Sequence, residues 1–311
     1  MNSNTADSRH SLMRRRFVTA DVFSTRRFGG NPLAVVFDAE GLTTAQMQSI
    51  ATEFNYSETT FVLPPADAAH SARVRIFTAT KEVPFAGHPN VGTAVMLARR
   101  LEAAGAAPSE GLVFEEAAGL VPVRLLREGG VVVAAELTAP QPLSIGAPMS
   151  CQEAAECLSL AAAEICDTHH PPQVLSVGLP FLVTELHTRE ALRRCVPVAA
   201  AHQRLLPPRG TDAVFAYVRG AAAGEVHARM FSPLDATPED PATGSASGAT
   251  IALLAALDAA ADGERAWRVE QGLDMGRPSL ILGRTEKRAG VVTAVHVAGH
   301  AVQVMQGTLA P

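Results

Sequence analysis

The stretch EVPFAGHPNVGTAVMLA, residues 82–98, decides the fold of this chain. Its two prolines lack a backbone N–H and favour extended geometry in the residues before them, so its first half is predicted to be a turn. The apolar residues after Gly92 predict a helix. Gly87 and Gly92 are expected to let the backbone approach a ligand. Because the first N–H groups of a helix lack internal partners, the junction predicts an anion site, with His88 as its titratable side chain.

A turn of this kind also fits a plain corner between a strand and a buried helix, but the chain repeats it. The sequence RIFT at 75–78 precedes the first turn, and RMFS at 229–232 precedes DPATGSASG at 240–248. Aligning Arg75 with Arg229 and Gly92 with Gly248 requires only a two-residue insertion. The period is about half the chain, which is too long for a solenoid and indicates an internal duplication.

Composition limits the class of protein. The chain has 311 residues, 47% hydrophobic and 18% charged, with a net charge of −5, which suggests about two domains with ample core. Scattered basic residues and 5% aromatics argue against a nucleic-acid partner. No apolar run approaches the roughly 20 residues that cross a membrane, so a cytoplasmic location is expected. Residues 1–14 are polar and are expected to be a disordered leader.

The cysteines and histidines do not predict a metal site. All four cysteines lie in the second half without a C-x-x-C pair, and we interpret them as reduced thiols packed in the core. His169 and His170 precede two prolines, and no Cys or carboxylate spacing completes a zinc site, so we interpret this pair as loop. No dinucleotide, phosphate-loop or serine-hydrolase motif is present. The dinucleotide, nucleotide and serine-hydrolase interpretations therefore lose their main support.

The remaining sequence predicts many short strands in each half, around one helix of small apolar residues. A helix without a polar face is normally buried. The predicted architecture is therefore a layer of strands curled around a central helix, twice, with the crossing between halves at residues 139–142. The last two strands are predicted at 291–297 and 301–307.

Three polar side chains are candidates for chemistry, and each has an alternative. Glu58 is either an exposed carboxylate on an edge strand or a carboxyl desolvated against Phe54, Tyr56 and Phe61, which would raise its pKa toward neutrality. Asp240 is either a helix cap or part of a site. The histidine of the first turn is either a structural hydrogen-bonding group or a ligand contact.

The chain resembles the PhzF-like family of phenazine-biosynthesis isomerases over nearly its whole length. The similarity rests on DVF at 21–23, GNPLAV at 30–35, SETTF at 57–61, RIFT at 75–78, PFAGHP at 84–89, GTA at 92–94, EDPATGSA at 239–246, and QG with MGRPS at 271–279. Asn90 stands where this family often has threonine.

This resemblance implies a diaminopimelate-epimerase-like α/β (α+β) fold with two pseudosymmetric halves, an active site in the cleft between them, a homodimer, and no metal or organic cofactor. The halves would be residues 15–140 with about 300–311, and residues 141–299. By matching position, the resemblance implies one catalytic acid/base and five residues that hold the substrate and its carboxylate. These are Glu58 as the acid/base, His88 and Asp240 around the reacting part, and Gly87, Gly244 and Ser245 at the carboxylate.

We therefore expect a cofactor-independent isomerase that moves a proton within a small carboxylate by glutamate acid/base catalysis. The related cofactor-independent epimerases place a cysteine in each turn, and neither turn here has one, so epimerisation by two thiols is not expected. A non-catalytic ligand-binding protein and an epimerase or lyase using the same glutamate are the alternatives. Substrate specificity is expected from residues near Asn31, Tyr56 and Phe231.

Overall fold

The computed structural model describes residues 14–106, 108, 110–235, 238–259 and 262–311. The predicted leader lies outside these residues except for Arg14. The helices are α1 Thr44–Phe54, α2 Gly87–Ala103, α3 Cys151–Cys157, α4 Arg189–Arg194, α5 Ala199–Leu205 and α6 Gly244–Leu257. The strands of the first half are β1 Arg15–Val22, β2 Asn31–Val36, β3 Glu58–Leu63, β4 Ala72–Phe77, β5 Glu82–Val83, β6 Gly111–Glu116, β7 Gly119–Glu128 and β8 Val131–Thr138. The later strands are β9 Ser144–Pro148, β10 Ile165–Cys166, β11 Gln173–Ser176, β12 Pro180–Leu186, β13 Val214–Arg219, β14 Glu225–Phe231, β15 Glu239–Asp240, β16 Gly263–Gln271, β17 Ser279–Arg288 and β18 Val291–Leu309.

The two halves have the same strand pairing, which confirms the predicted duplication. In the first half, β2 runs parallel to β3, β3 antiparallel to β4, and β4 parallel to β6. In the second half, β12 runs parallel to β13, β13 antiparallel to β14, and β14 parallel to β16. A central helix follows the short strand in each half, α2 after β5 and α6 after β15. The predicted mixed α/β fold with two pseudosymmetric halves is therefore confirmed.

The duplication extends to side chains. The Nε atom of Arg75 donates a hydrogen bond to Glu82 at 2.7 Å, and that of Arg229 donates to Glu239 at 2.8 Å. Each guanidinium also lies over the phenylalanine two residues later in its strand. These matching ion pairs identify equivalent positions in the two halves.

Strand β18 connects the two halves. Its first part pairs antiparallel with β17 of the second half and with β8 of the first half. Its last part pairs antiparallel with β1. The two strands predicted at its place are therefore one continuous strand, because Gly299 stays in the sheet opposite Ala135 instead of forming a turn. From this strand pairing we propose that the boundaries between the two halves lie near residues 140 and 300.

The central helices are buried, as their apolar sequences predict. Every residue of α2 from His88 to Ala98 is buried, and so is nearly every residue of α6 up to Ala255. Gly92 lies against the strands, where an added Cβ would meet Leu33 Cδ2 at 2.5 Å and Val22 Cγ2 at 2.6 Å. The expectation that Gly92 faces a ligand is therefore wrong, because this glycine permits close packing of helix on sheet.

Both central helices begin one turn earlier than predicted. The first starts at Gly87 and the second at Gly244, and not after Gly92 and Gly248. Pro89 is the third residue of its helix, where the missing N–H has no intrahelical acceptor to lose. The prediction that this proline excludes helix was wrong for that reason. None of the helices in the described ranges is both long and apolar enough to cross a bilayer.

Candidate active site

The starts of the two central helices, one from each half of the chain, lie next to each other. A Cβ placed on Gly87 would lie 3.7 Å from the backbone nitrogen of Ser245 and 3.9 Å from Cα of Gly244. The residues before the two helices, Ala86 and Thr243, make no side-chain hydrogen bond to the first-turn N–H groups. These N–H groups therefore have no side-chain cap, and both helix dipoles place partial positive charge in the same region.

A cavity of about 670 Å³ opens at this point. Its volume is typical of a small-molecule site. All six residues that the sequence analysis assigned to the site line it, and these come from both halves of the chain: Glu58, Gly87, His88, Asp240, Gly244 and Ser245. Among the lining residues that the structure describes, Lys81 alone carries a permanent positive charge.

Glu58 begins β3, a strand that is paired on both sides. It lies opposite Leu33 of β2, and its neighbour Thr59 lies opposite Phe77 of β4. The alternative of an exposed edge-strand carboxylate is therefore wrong, and the side chain is only 19% exposed. The expected contact with Phe61 is also absent, because side chains three positions apart in a strand point to opposite faces. Phe61 instead packs edge-to-face on Phe77 beneath α1.

The Glu58 carboxyl has the electrostatics of an acid/base near neutral pH. Its pKa is raised from 4.5 to about 8, first by burial and in addition by the negative charges of Asp240 and Asp235. Desolvation disfavours the charged form, and a neighbouring anion has the same effect. At pH 7 this group is therefore mostly protonated, whereas ordinary glutamates are ionised.

His88 contacts this carboxyl from the first turn of α2. Its Nδ1 atom lies 3.3 Å from Glu58 Oε2, and its side chain is 6% exposed. Burial lowers the pKa of the imidazole from 6.5 to about 3, and the nearby Pro32 carbonyl opposes this shift only in part. The ring is therefore neutral across the physiological range.

Asp240 is held by groups from both halves of the chain. Its Oδ1 accepts hydrogen bonds from Asn31 Nδ2 at 2.8 Å and Ser57 Oγ at 3.3 Å, and its Oδ2 accepts one from Thr243 Oγ1 at 2.5 Å. Burial raises its pKa from 3.8 to about 6, and these donors limit the rise. The helix-cap alternative for Asp240 is wrong, because the cap position is Thr243, whose hydroxyl donates to Asp240.

The residues that position Asp240 were not predicted in that role from the sequence. Gln271 donates to the Asp240 carbonyl at 2.7 Å and accepts from the Thr243 N–H at 3.0 Å. Asn31, Ser57 and Gln271 all stand in the motifs that carry the family resemblance, which was the available signal. Substrate specificity was expected from residues near Tyr56 and Phe231. Tyr56 lines the cavity, whereas Phe231 is fully buried and its neighbour Met230 lines the cavity.

Comparison with known proteins agrees with this architecture. Residues 20–307 match the family model described as phenazine biosynthesis-like protein. An uncharacterized isomerase of Mesorhizobium japonicum is 40% identical, over 96% of this chain and 99% of that protein. The trans-2,3-dihydro-3-hydroxyanthranilate isomerase of Pseudomonas chlororaphis is 35% identical, over 94% of this chain and 98% of that protein.

The fold is also that of a solved member of the family. The crystal structure of the Bacillus anthracis phenazine biosynthesis protein of the PhzF family superposes with a TM-score of 0.83 at 25% identity. The match covers 95% of this chain and 99% of that one. The chain thus belongs to the phenazine biosynthesis-like protein family and is an enzyme of the isomerase class.

Proposed function

We propose that this isomerase moves a proton between two carbons of one small carboxylate-bearing substrate, without a cofactor, and that Glu58 carries the proton. The observation that supports this most is the position of a carboxyl with a pKa of about 8 beside two helix starts without side-chain caps, in one cavity. An acid/base is most effective when its pKa lies near the working pH.

The substrate carboxylate would bind at the helix starts. The N–H groups near Gly87, Gly244 and Ser245 converge on one region of the cavity. Each helix start contributes roughly 0.3–1 kcal/mol to anion binding when exposed and up to about 2 kcal/mol when partly buried. Hydrogen bonds to the carboxylate also withdraw electron density, which makes an adjacent C–H easier to ionise.

The proton transfer proceeds in two steps that conserve charge. The ionised form of Glu58 removes a proton from an activated carbon, and the electron pair of that C–H bond enters the conjugated system of the substrate. The protonated Glu58 then returns the proton to a second carbon, which restores the carboxylate. General acid/base catalysis of this kind contributes about 10²–10⁴-fold, so the C–H bond must already be activated, as in an allylic or α-amino position.

The neighbours of Glu58 serve different purposes in this scheme. His88 has a pKa of about 3, so it does not compete for the proton and instead holds the carboxyl in place. Asp240 has a pKa of about 6 and is mostly ionised at pH 7, and its charge keeps the pKa of Glu58 high. The proposed base is therefore ionised in only about one-tenth of free molecules at pH 7.

The duplication supports one acid/base and not two. Phe61 and Ala216 are equivalent, because each lies opposite the arginine of its half's matching ion pair. Three residues earlier, Glu58 in the first half is therefore matched by Ala213 in the second. Ala213 lines the same cavity, on the other side of the pseudo-twofold relation. A substrate held between the halves would meet a carboxyl on one side and a methyl group on the other.

The second acidic group is asymmetric in the same way. Ile76 lies opposite Val83, and at the equivalent positions Met230 lies opposite Asp240. Asp240 therefore has an apolar counterpart, and its hydrogen bonds with Asn31 and Ser57 leave it as a fixed charge. This arrangement favours a proton shift by one group over epimerisation by two opposed bases.

The substrate named for the Pseudomonas chlororaphis relative, trans-2,3-dihydro-3-hydroxyanthranilate, is the first compound to test. It would be incubated with the chain in D₂O, and the recovered material analysed by NMR and mass spectrometry. We expect an isomer with a new C–H bond at a second carbon, carrying deuterium to the extent that the proton on Glu58 exchanges with solvent before it is returned. Deuterium at the original carbon with inverted configuration would indicate epimerisation, and loss of a group would indicate a lyase. Binding without exchange, for this and related amino and hydroxy carboxylates, would leave only a binding function.

A further inference from the structure

A second cluster of reactive side chains lies away from the cavity, in the second half of the chain. Cys166 at the end of β10 lies directly opposite Glu185 of β12 in the antiparallel register. His169 follows in the loop after β10. One ligand atom from each residue lies within 4.8 Å of the others. Cross-strand partners project to the same face of a sheet, so the strand pairing brings thiol and carboxylate together and the loop adds the imidazole.

We propose that Cys166, His169 and Glu185 form a binding site for a zinc-like divalent cation. The Nδ1 atom of His169 is 3.0 Å from Glu185 Oε2 and 4.0 Å from Cys166 Sγ. Donor atoms around a tetrahedral zinc ion have metal–ligand distances of about 2.0–2.3 Å, so they lie roughly 3–4 Å from one another. The separation of His169 Nδ1 and Glu185 Oε2 already falls in this range, and the Cys166 sulfur, within 4.8 Å of the other two atoms, would move toward them on binding.

The geometry distinguishes a metal site from a nucleophilic relay. In a cysteine–histidine–carboxylate relay, one ring nitrogen faces the thiol and the other faces the carboxylate. Here the same atom, His169 Nδ1, faces both Cys166 and Glu185. Three donor atoms that converge on one point match coordination of a cation.

The surroundings of Glu185 fit an orienting shell around such a site. Arg219 donates to both oxygens, from Nε to Oε1 at 3.0 Å and from Nη2 to Oε2 at 3.4 Å, so the carboxylate is held in place with Oε2 beside the cluster. Tyr217 donates its hydroxyl proton to Oε2 at 3.1 Å and lies 2.8 Å from His170 Nε2. Ligand carboxylates are commonly fixed by hydrogen bonds of this kind. The metal would replace the proton that now lies between His169 Nδ1 and Glu185 Oε2, and would displace the thiol proton of Cys166.

The donor set and its exposure indicate the kind of ion. A thiolate with an imidazole favours zinc over calcium or magnesium, which prefer oxygen donors alone. Cys166 and Glu185 are 6% and 4% exposed, whereas the His169 side chain is 43% exposed. Solvent therefore has access through the histidine side, where water would complete the coordination.

The site is structural and separate from the isomerase chemistry. Glu185 lies four residues along β12 from Phe181, which lines the active-site cavity. That separation is roughly 13 Å at the rise of a strand. The cation would join β10, its following loop and β12. A metal site here differs from the sequence-based expectation of no metal. The sequence does not indicate it, because Glu185 is 19 residues from Cys166 and lies beside it only through strand pairing.

The test uses the full-length, untagged chain, freed of metal and kept reduced, and titrated with Co²⁺ as the spectroscopic probe. We expect a thiolate-to-cobalt charge-transfer band that saturates at one equivalent and is displaced by Zn²⁺. The band should be lost in Cys166→Ser and retained in Cys195→Ala, a control that removes a buried thiol outside the cluster.

A second variant guards against misfolding. His169→Ala changes a half-exposed side chain, so it should fold as the wild type does, yet bind Co²⁺ roughly tenfold or more weakly. Zn²⁺ should raise the Tm of the wild type and of Cys195→Ala, but not that of His169→Ala. The proposal is overturned if no saturable band forms, or if the band and the Zn²⁺ effect on Tm are unchanged in His169→Ala.

Discussion

The Nδ1 atom of His88 lies 3.3 Å from Oε2 of Glu58, and burial moves the pKa values of the two groups in opposite directions. The pKa of the imidazole falls to about 3, and the pKa of the carboxyl rises to about 8. At pH 7 this is a contact between two mostly uncharged groups and not a salt bridge. Glu58 is therefore the member of the pair that exchanges a proton near neutral pH.

Replacing Glu58 with glutamine should abolish proton transfer while retaining ligand binding. The amide keeps the shape of the protonated carboxyl but cannot take up a proton. We expect deuterium exchange into the bound carboxylate to fall by about 10²–10⁴-fold, with a Kd close to that of the wild type. Glu53→Gln, on the exposed side of α1, is the matched control. Exchange that persists in Glu58→Gln would reject this residue as the proton carrier.

The pH dependence of kcat/KM should report the ionisation of Glu58. Because the base form is needed for the first step, the rate should rise with pH and level off above about 8. The measurement is the pH profile of kcat/KM at constant ionic strength. A profile that is already flat from pH 6 would show that the group required as a base titrates lower.

The same profile should move when the charge at Asp240 is removed. Asp240 raises the pKa of Glu58, so Asp240→Asn should lower that pKa and shift the rising limb to lower pH. The asparagine retains an oxygen that can accept from Asn31, which limits the structural change. A shift to higher pH, or none in a variant with an unchanged Tm, would contradict this electrostatic coupling.

The contribution of Glu58 to folding stability should change with pH in the opposite direction from that of a glutamate whose pKa is lowered by folding. The folded-state pKa of Glu58 is raised from 4.5 to about 8, so its contribution to stability is present below pH 4.5 and is lost as the pH rises through 8. Glu58→Gln should therefore be more stable than the wild type at pH 9 by up to about 5 kcal/mol, and nearly equal to it at pH 4. Denaturant unfolding at both pH values measures the difference, with Glu53→Gln as the control. An equal effect at both pH values would exclude a raised pKa.

The N–H groups at the helix starts should be sensitive to a single methyl group. Gly87→Ala adds a Cβ at an ordinary contact distance of 3.7 Å from the Ser245 nitrogen, so the fold should tolerate it. The methyl group occupies the space proposed for the substrate carboxylate. We expect the Kd to rise by roughly tenfold, with Tm unchanged. Calorimetric titration and thermal unfolding test this, and an unchanged Kd would place the carboxylate elsewhere.

The same substitution five residues later, at Gly92, should reduce the stability of the fold. In Gly92→Ala, the new methyl group would lie 2.5 Å from Leu33 and 2.6 Å from Val22. Overpacking of this kind costs about 1–3 kcal/mol of unfolding free energy. Denaturant unfolding should show this loss, and Gly87→Ala is the matched control because its methyl group meets no such contact. Equal stability of the two variants would contradict the close packing of α2 on the sheet.

The sequence was sufficient to predict the duplication, the buried central helices and the residues of the cavity. The first two depend on local signals that occur twice, such as an arginine strand, a glycine-bearing turn and a run of small apolar residues, whereas the residues of the cavity were assigned from the family resemblance. The start of the first helix was predicted too late because proline is compatible with a first turn. The predicted contact between Glu58 and Phe61 was wrong because side chains alternate between the two faces of a strand, which places these two residues of β3 on opposite faces.

Contacts between distant residues were harder to predict. The three donors to the Asp240 carboxylate include Asn31 and Ser57, which are 209 and 183 residues away in the chain. Likewise, Cys166 meets Glu185 only because β10 and β12 pair in one particular register. A single sequence contains no direct signal for such pairings, since register is determined by the whole sheet.

Strand β18 has a consequence for the order in which the molecule is completed during synthesis. It follows every other described element in the chain, yet its last part is the hydrogen-bonded neighbour of β1. On a ribosome, β1 must therefore wait with one edge unpaired until β18 has been made. Unpaired edges are templates for aggregation. A nascent chain that stalls before residue 291 would expose the edges of β1, β8 and β17 together, so this enzyme should depend on protection of the nascent chain more than two independent domains would.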